Sequence, residues 1–206
     1  MTHEFDQAYA SEQIARSQSG LRRFVKSAYL NSTLREISGA TVDLGCGAGQ
    51  LLERLPLGSL GLELNPVLVE RLRATGSNVA HYDALADDFS LGPVAPERFQ
   101  TLIASHVIEH FEDAAGALKK LAAAAQRLGI VRIVCVVPGW KGYQSDSTHR
   151  TFVDPAYIHS NALHELGAFR LARTRCFPIN AEPFGRFFVY NECVFVWQRR
   201  NESTVA

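Results

Sequence analysis

Thr41-Val42-Asp43-Leu44-Gly45-Cys46-Gly47-Ala48-Gly49-Gln50 decides how this chain is read. A short apolar run ends in an acid, three glycines alternate, and Leu51-Leu52-Glu53-Arg54-Leu55 predicts a helix to about residue 55. Strand, glycine turn and helix in that order build a nucleotide-type pocket at the carboxyl end of a parallel strand. Glycine has no Cβ, so backbone there can approach a ligand closely and take positive φ. A dinucleotide fingerprint, G-x-G-x-x-G, seats a pyrophosphate on a helix start. Here Gln50 stands where its last glycine would be, so that spacing fails. The alternation alone fits any tight turn; Asp43 and the signals downstream make it specific.

Outward from this stretch, the pattern predicts an α/β chain. Strands are expected at 40–44, 60–63, 78–84 with its exit loop, 99–104, 130–137, 168–177 and 187–197. Ile130 to Val137 is near-continuously apolar, as a buried parallel strand requires. Asn65-Pro66 and Asp154-Pro155 each read as a cap followed by proline in the first turn. The second of these helices is expected to run to about Leu166 and end at Gly167. Asp113 to Arg127, rich in Ala and Leu, is a third helix. Residues 138–153 form a long polar loop, and loops of that length in compact domains often carry function. Ahead of the first strand, Leu21, Phe24, Val25, Ala28, Tyr29, Leu34 and Ile37 recur near helical spacing.

The 206 residues suit one α/β domain. Apolar residues make up 47%, enough for a full core. The 21 Lys and Arg balance the 21 Asp and Glu, which argues against long duplex nucleic acid as a partner. No apolar stretch approaches the ~20 residues of a membrane span, and Met1 to Asp6 lacks a signal-peptide pattern, so a cytoplasmic protein away from the membrane is expected. Cys46, Cys135, Cys176 and Cys193 are scattered without a C-x-x-C pair and read as reduced thiols.

The glycine stretch, with Asp43 before it and Glu63 closing the second strand, resembles motif I and its downstream acid in small, single-domain class I S-adenosylmethionine (SAM)-dependent methyltransferases. The resemblance spans about residues 38–198. It implies a Rossmann-like, doubly wound, seven-stranded and mostly parallel sheet with an antiparallel last strand and helices on both faces. It also implies a methyltransferase domain at 39–198, an N-terminal helical extension at 1–38 covering the cleft, where Phe5, Tyr9 and Phe24 could pack, and a frayed tail at 199–206. SAM is the implied cofactor. Asp43, Gly45, Cys46, Gly47 and Gly49 would meet its methionine end, and Glu63 and Leu64 its ribose. Asp83 and Ala84 would meet the adenine, and Ser105 and His106 would lie nearest the transferred methyl. Asp83 also fits a plain turn.

Ser105-His106-Val107-Ile108-Glu109-His110-Phe111 follows the fourth strand. His106, Glu109 and His110 have i, i+3, i+4 spacing, which one helix face would bring together. His149, in the loop after the fifth strand, meets the same sheet edge. Imidazoles and a carboxylate so grouped make a divalent-metal site. The pattern resembles the E-x-x-E-H element of small-RNA 2′-O-methyltransferases and ubiquinone-pathway O-methyltransferases, in which a divalent ion holds vicinal hydroxyls. Here His106 replaces the first acid, which disfavours magnesium relative to manganese or zinc. Without a metal, His110, His149 or His106 becomes the general base for a hydroxyl. The expected reaction is O-methylation of a small-molecule or sugar-like acceptor, ahead of N-methylation and ahead of an RNA end. A nicotinamide-dependent dehydrogenase and a non-catalytic SAM-binding protein are the alternatives from other classes.

Overall fold

The structure, a computed structural model, describes residues 29–180, 185 and 187–200. Phe5, Tyr9 and Phe24 of the expected extension, and residues 201–206 of the expected tail, lie outside the described residues. Residues 29–34 are helical. The elements that follow are β1 (Thr41–Leu44), β2 (Leu60–Glu63), α1 (Pro66–Ala74), β3 (Val79–His81), β4 (Thr101–Ser105), α2 (Ala114–Arg127), β5 (Arg132–Pro138), α3 (Trp140–Tyr143), α4 (Pro155–Ser160), β6 (Glu165–Leu166), β7 (Phe169–Phe177) and β8 (Glu192–Arg199).

The strands form one sheet in the order β3-β2-β1-β4-β5-β8-β7-β6. The first five are mutually parallel, and β8, β7 and β6 are antiparallel to their neighbours. The chain order reverses between β1 and β4, and such a switch point opens a crevice at the strands' carboxyl ends. Side chains alternate across the sheet. Val134 and Val136 of β5 pack with Ile103, Val194, Val196, Tyr29 and Leu30 on one face. Ile133, Cys135 and Val137 join α2, Phe169, Phe195 and Trp197 on the other. The predicted caps form as local chemistry dictates, with the side chain of Asn65 accepting from the Val67 amide and Asp154 from Tyr157, and Asp113 likewise accepts from Gly116.

The structure differs from expectation in five places. The stretch after the glycine turn makes only a 3-10 turn, Leu52–Arg54, because Leu55 is already extended and Pro56 follows. The segment from Pro155 leaves the helix at Ser160, since Ala162 takes φ 53°. Glu165 and Leu166 then pair with β7 as a short edge strand, and Gly167 (φ 59°) turns that hairpin rather than ending a helix. This edge strand makes the sheet eight-stranded instead of seven-stranded. The 138–153 loop contains the four-residue helix α3. Finally, Cys176 and Cys193 are not reduced: they sit directly opposite across β7 and β8, with Cα atoms 4.2 Å apart, and are joined by a disulfide. Strand pairing, invisible in their 17-residue separation, brings them together. Cys46 and Cys135 are free and buried. No helix among the described residues is long and apolar enough to cross a membrane.

Trp197 is fully buried, and its indole Nε1 donates to the Leu163 carbonyl at 2.7 Å. Trp197→Phe keeps most of the ring but leaves that carbonyl unpaired. The expected cost is about 1–3 kcal/mol, read as a lower urea midpoint with an unchanged slope; an unchanged midpoint would contradict the role given to this bond.

Candidate active site

At the end of β1 the chain turns through Gly45, Gly47 and Gly49, all at positive φ. Gly45 is forced by packing, since a Cβ there would lie 2.5 Å from Val107 Cγ2. Gly47 is different: a Cβ would meet nothing within 4 Å among the described residues, so its backbone is uncovered by them. Glu63, closing the neighbouring β2, fixes this turn. One carboxylate oxygen accepts from the Gly47 amide at 2.8 Å and the other from the Asn65 amide at 2.8 Å. Burial raises its pKa, while the amides of Asn65, Gly47 and Leu64 pull it down. Asp43 is 1% exposed, and its Oδ2 has no hydrogen-bond partner among the described residues. Burial, and secondarily Glu63, push its pKa up to about 8. Burial first, then Asp43 and Glu63, also raise the Cys46 thiol, which keeps it protonated. The exposed Leu64 follows Glu63. Asp83 Oδ1 accepts from the amides of Leu85 and Ala86 at 3.0 and 3.1 Å, which fixes the turn through Ala84.

The second half of the site hangs on Glu109. No α-helix forms from His106, because His106 takes φ 57° and only a 3-10 turn, Ile108–His110, follows. What gathers the ligand-type residues is the loop after β5. The amides of Arg150 and Thr151 donate to the Glu109 carbonyl at 2.8 and 3.0 Å, and Thr151 Oγ1 donates to the Phe111 carbonyl. These bonds dock His149 beside Glu109, with Nε2 3.9 Å from Oε1. One ligand atom from each of Glu109, His110 and His149 falls within 4.8 Å of the others. His149 Nδ1 faces the Tyr143 carbonyl at 2.8 Å, so Nδ1 carries the proton and Nε2 the lone pair. Thr148 Oγ1 donates to Asp146 at 2.7 Å and therefore accepts from His110 Nδ1 at 3.1 Å. His110 Nε2 is thereby left as the second lone pair. Burial lowers the His110 pKa below the usual imidazole value, against the pull of Glu109. Both Glu109 carboxylate oxygens are buried without a hydrogen bond among the described residues. A buried carboxylate is costly in the interior unless a positive charge meets it, and the imidazole of His106 lies 3.2 Å from Oε1.

His106 stands outside that trio. Its Nδ1 lies 3.2 Å from Glu109 and its Nε2 3.1 Å from Glu192, at the start of β8. Burial opposes a charged imidazole there, but Glu192, then Tyr29 and Glu109, outweigh it and raise the pKa well above the usual value. The Tyr29 ring meets His106 edge-on at 5.8 Å, and its hydroxyl bonds Ser105 Oγ.

Residues 42–133 match the family model described as a methyltransferase domain. A SAM-dependent methyltransferase from Archaeoglobus fulgidus superposes with a TM-score of 0.64 over 94% of this chain and 100% of its own, at 17% identity. Magnesium protoporphyrin IX methyltransferase from Synechocystis, with bound S-adenosylhomocysteine, gives 0.62 over 95% and 96%, at 16% identity. The ubiquinone biosynthesis O-methyltransferase of Rhodopseudomonas palustris is 28% identical over 129 residues, 59% of this chain and 49% of the relative. Residues 42–133 thus carry a methyltransferase domain, on the fold that these SAM-dependent methyltransferases share. The chain spans about half the length of the curated relatives it matches.

In this methyltransferase domain the glycine turn, Asp43 and Glu63 share one end of the β1–β2 edge, and Ser105 and His106 leave β4 beside it. His106, expected among the metal ligands, instead has each ring nitrogen against a carboxylate. Sequence reasoning missed Glu192 and the ring contact of Tyr29. Nothing local marks Glu192: it reaches His106 only because antiparallel β8 begins opposite Pro138, at the carboxyl end of β5. Asp146 and Thr148 act behind His110 rather than as bare loop residues.

The raised Asp43 pKa predicts how the unliganded protein responds to pH. Its contribution is fully present below the ordinary carboxyl value of 3.8 and is lost as pH rises through about 8. Asp43→Asn does not titrate, so its melting temperature should gain on wild type across that window and level off above it. A gap that does not change with pH would contradict the assignment.

Proposed function

We propose that this protein methylates a hydroxyl of a small-molecule acceptor held beside Glu109, His110 and His149, with SAM as donor. The observation that carries the reading is the convergence of one ligand atom each from Glu109, His110 and His149, within 4.8 Å of one another, with the Glu109 carboxylate fully buried. The name of the curated relative, an O-methyltransferase, supports the oxygen acceptor.

When bound, SAM supplies a methyl group on a sulfonium that is already electrophilic, which leaves the protein chiefly the task of alignment. The open face at Gly47 and the unpartnered Asp43 Oδ2 fit a close-lying cationic ligand. Asp43 and the backbone at Gly45, Cys46, Gly47 and Gly49 would hold the methionine end. Each Glu63 oxygen keeps a lone pair beyond its amide bond and would accept a ribose hydroxyl, with Leu64 alongside. Asp83 Oδ1 is engaged in its turn, so its other oxygen and the backbone at Ala84 would serve the adenine. Ser105 and His106 would border the transferred methyl, with Glu109 and Glu192 fixing the imidazole.

Glu109, His110 and His149 fit a divalent cation, and a donor set of two nitrogens and one oxygen favours manganese or zinc over magnesium. Bound there, the ion would lower the pKa of a hydroxyl on the acceptor. Thr148 and the Tyr143 carbonyl fix the ring orientations, as outer partners of metal-binding histidines do. Without an ion, the His149 Nε2 lone pair is the group poised to take the hydroxyl proton.

The test measures methyl transfer from SAM to 3,4-dihydroxybenzamide. Activity should vanish on exhaustive chelation, return with Mn²⁺, and be lost in His149→Ala. Thr148→Val should weaken Mn²⁺ binding, read by paramagnetic resonance, by about 10–100-fold. Full turnover in chelator would remove the metal and favour His149 as base. No transfer under any condition would count against the hydroxyl acceptor.

A further inference from the structure

A cavity of about 400 Å³ opens at the carboxyl end of β5 and the amino end of β8, lined by Pro138, Gly139, Trp140, Phe152, Asp154 and Asn191 among others. That size is typical of small-molecule pockets. Asn191 is fully buried, yet its side-chain Oδ1 and Nδ2 have no hydrogen-bond partner among the described residues. Its backbone is satisfied: the Gly139 amide donates to its carbonyl at 2.7 Å, and its own amide donates to Phe188. The side chain lies instead against bare backbone, since a Cβ on Gly139 or Gly185 would come within 3.1 or 3.0 Å of Nδ2. A buried amide with neither donor nor acceptor engaged is costly, and such groups are rare unless a ligand or water completes them.

The walls around this amide are aromatic. Trp140 and Phe152 meet edge to face at 5.0 Å, and Trp140 is 40% exposed, so the cavity is reachable from solvent. Both rings also touch Tyr143, at 5.9 and 5.3 Å, and Tyr143 stacks on His149 at 5.5 Å. The cavity therefore shares a wall with the Glu109–His110–His149 group. Asp154 adds a carboxylate to the lining, with Oδ1 held by the Tyr157 amide. A negative wall disfavours an anionic ligand.

We propose that this cavity anchors the acceptor through a planar aromatic ring bearing a neutral donor–acceptor edge, such as a carboxamide. Asn191 donates to and accepts from that edge, and Trp140 and Phe152 cover the ring. The pocket's role as acceptor site rests on the methyl-transfer reading; its selectivity does not.

Benzamide is the probe, titrated into the whole protein in chelator so that no metal contributes. Of the two tryptophans, Trp197 is fully buried and bonded to Leu163, so Trp140 reports on the cavity. Benzamide should change tryptophan emission saturably, and the change should disappear in Trp140→Phe. Benzoate should bind at least tenfold more weakly. Asn191→Leu should weaken benzamide at least tenfold while leaving the binding of toluene unchanged. Should Asn191→Leu fail to fold, Asn191→Asp replaces it and should prefer the benzamidinium cation over benzamide. No saturable change, equal affinity for benzoate, or benzamide binding indifferent to the residue at 191 would each overturn the proposal. The S-adenosylhomocysteine-induced rise in melting temperature is recorded on the same samples. A rise without a benzamide response overturns this inference alone, and absence of the rise counts instead against the methyl-transfer reading.

Discussion

The Glu63 carboxylate joins two segments that the chain keeps apart. One oxygen takes the amide of Gly47 in the turn after β1, and the other takes the amide of Asn65 at the cap of α1. Hydrogen bonds to a charged acceptor are worth about 1.5–3 kcal/mol each, which offsets part of the cost of burying this carboxylate. The turn's open face at Gly47 exists because this acid holds the backbone from behind, and because Gly45 lets Val107 close in from the β4 side. Asp43, beside it, receives no such compensation and stays protonated to a higher pH than an exposed acid would. One acid is built into the turn, and the other is left ready for a positive charge.

Glu109 plays the corresponding part at the β4–β5 edge, with its backbone and side chain divided between tasks. Its carbonyl anchors the long loop through Arg150 and Thr151, while its carboxylate faces the two imidazoles that the anchored loop delivers. His106 is pinned between Glu109 and Glu192 and borders both halves of the site. The aromatic wall of Trp140, Tyr143 and Phe152 then continues from His149 to the cavity at Asn191. The glycine turn, the Glu109–His110–His149 group and the apolar cavity thus follow one another along one edge of a single sheet.

Local chemistry made much of this legible. The glycine turn, the acid ending β2, and the caps at Asn65 and Asp154 are written in residue type and short spacing. So is the loop that carries His149. What escaped depends on contacts between distant strands. Glu192, Asn191 and the Cys176–Cys193 bond are all consequences of where β8 lies against β5 and β7, which no periodicity in 187–197 reveals. The shortened helix at Pro155 escaped for the opposite reason: its apolar spacing suits a helix, but the pairing of Glu165 and Leu166 with β7 overrides it. At His106, the spacing with Glu109 and His110 suggested one helix face, and a left-handed backbone placed the imidazole between two carboxylates instead.

The central claim is that the Glu63-braced turn binds the adenosyl cofactor. Calorimetric titration with S-adenosylhomocysteine tests it most directly, on the wild type and on Glu63→Gln, which keeps the shape but weakens the amide contacts. The account predicts one saturable site of micromolar affinity in the wild type, weakened roughly tenfold or more by the substitution, in line with the loss of charged hydrogen bonds. Absence of binding, or binding of equal strength in the two proteins, would contradict it.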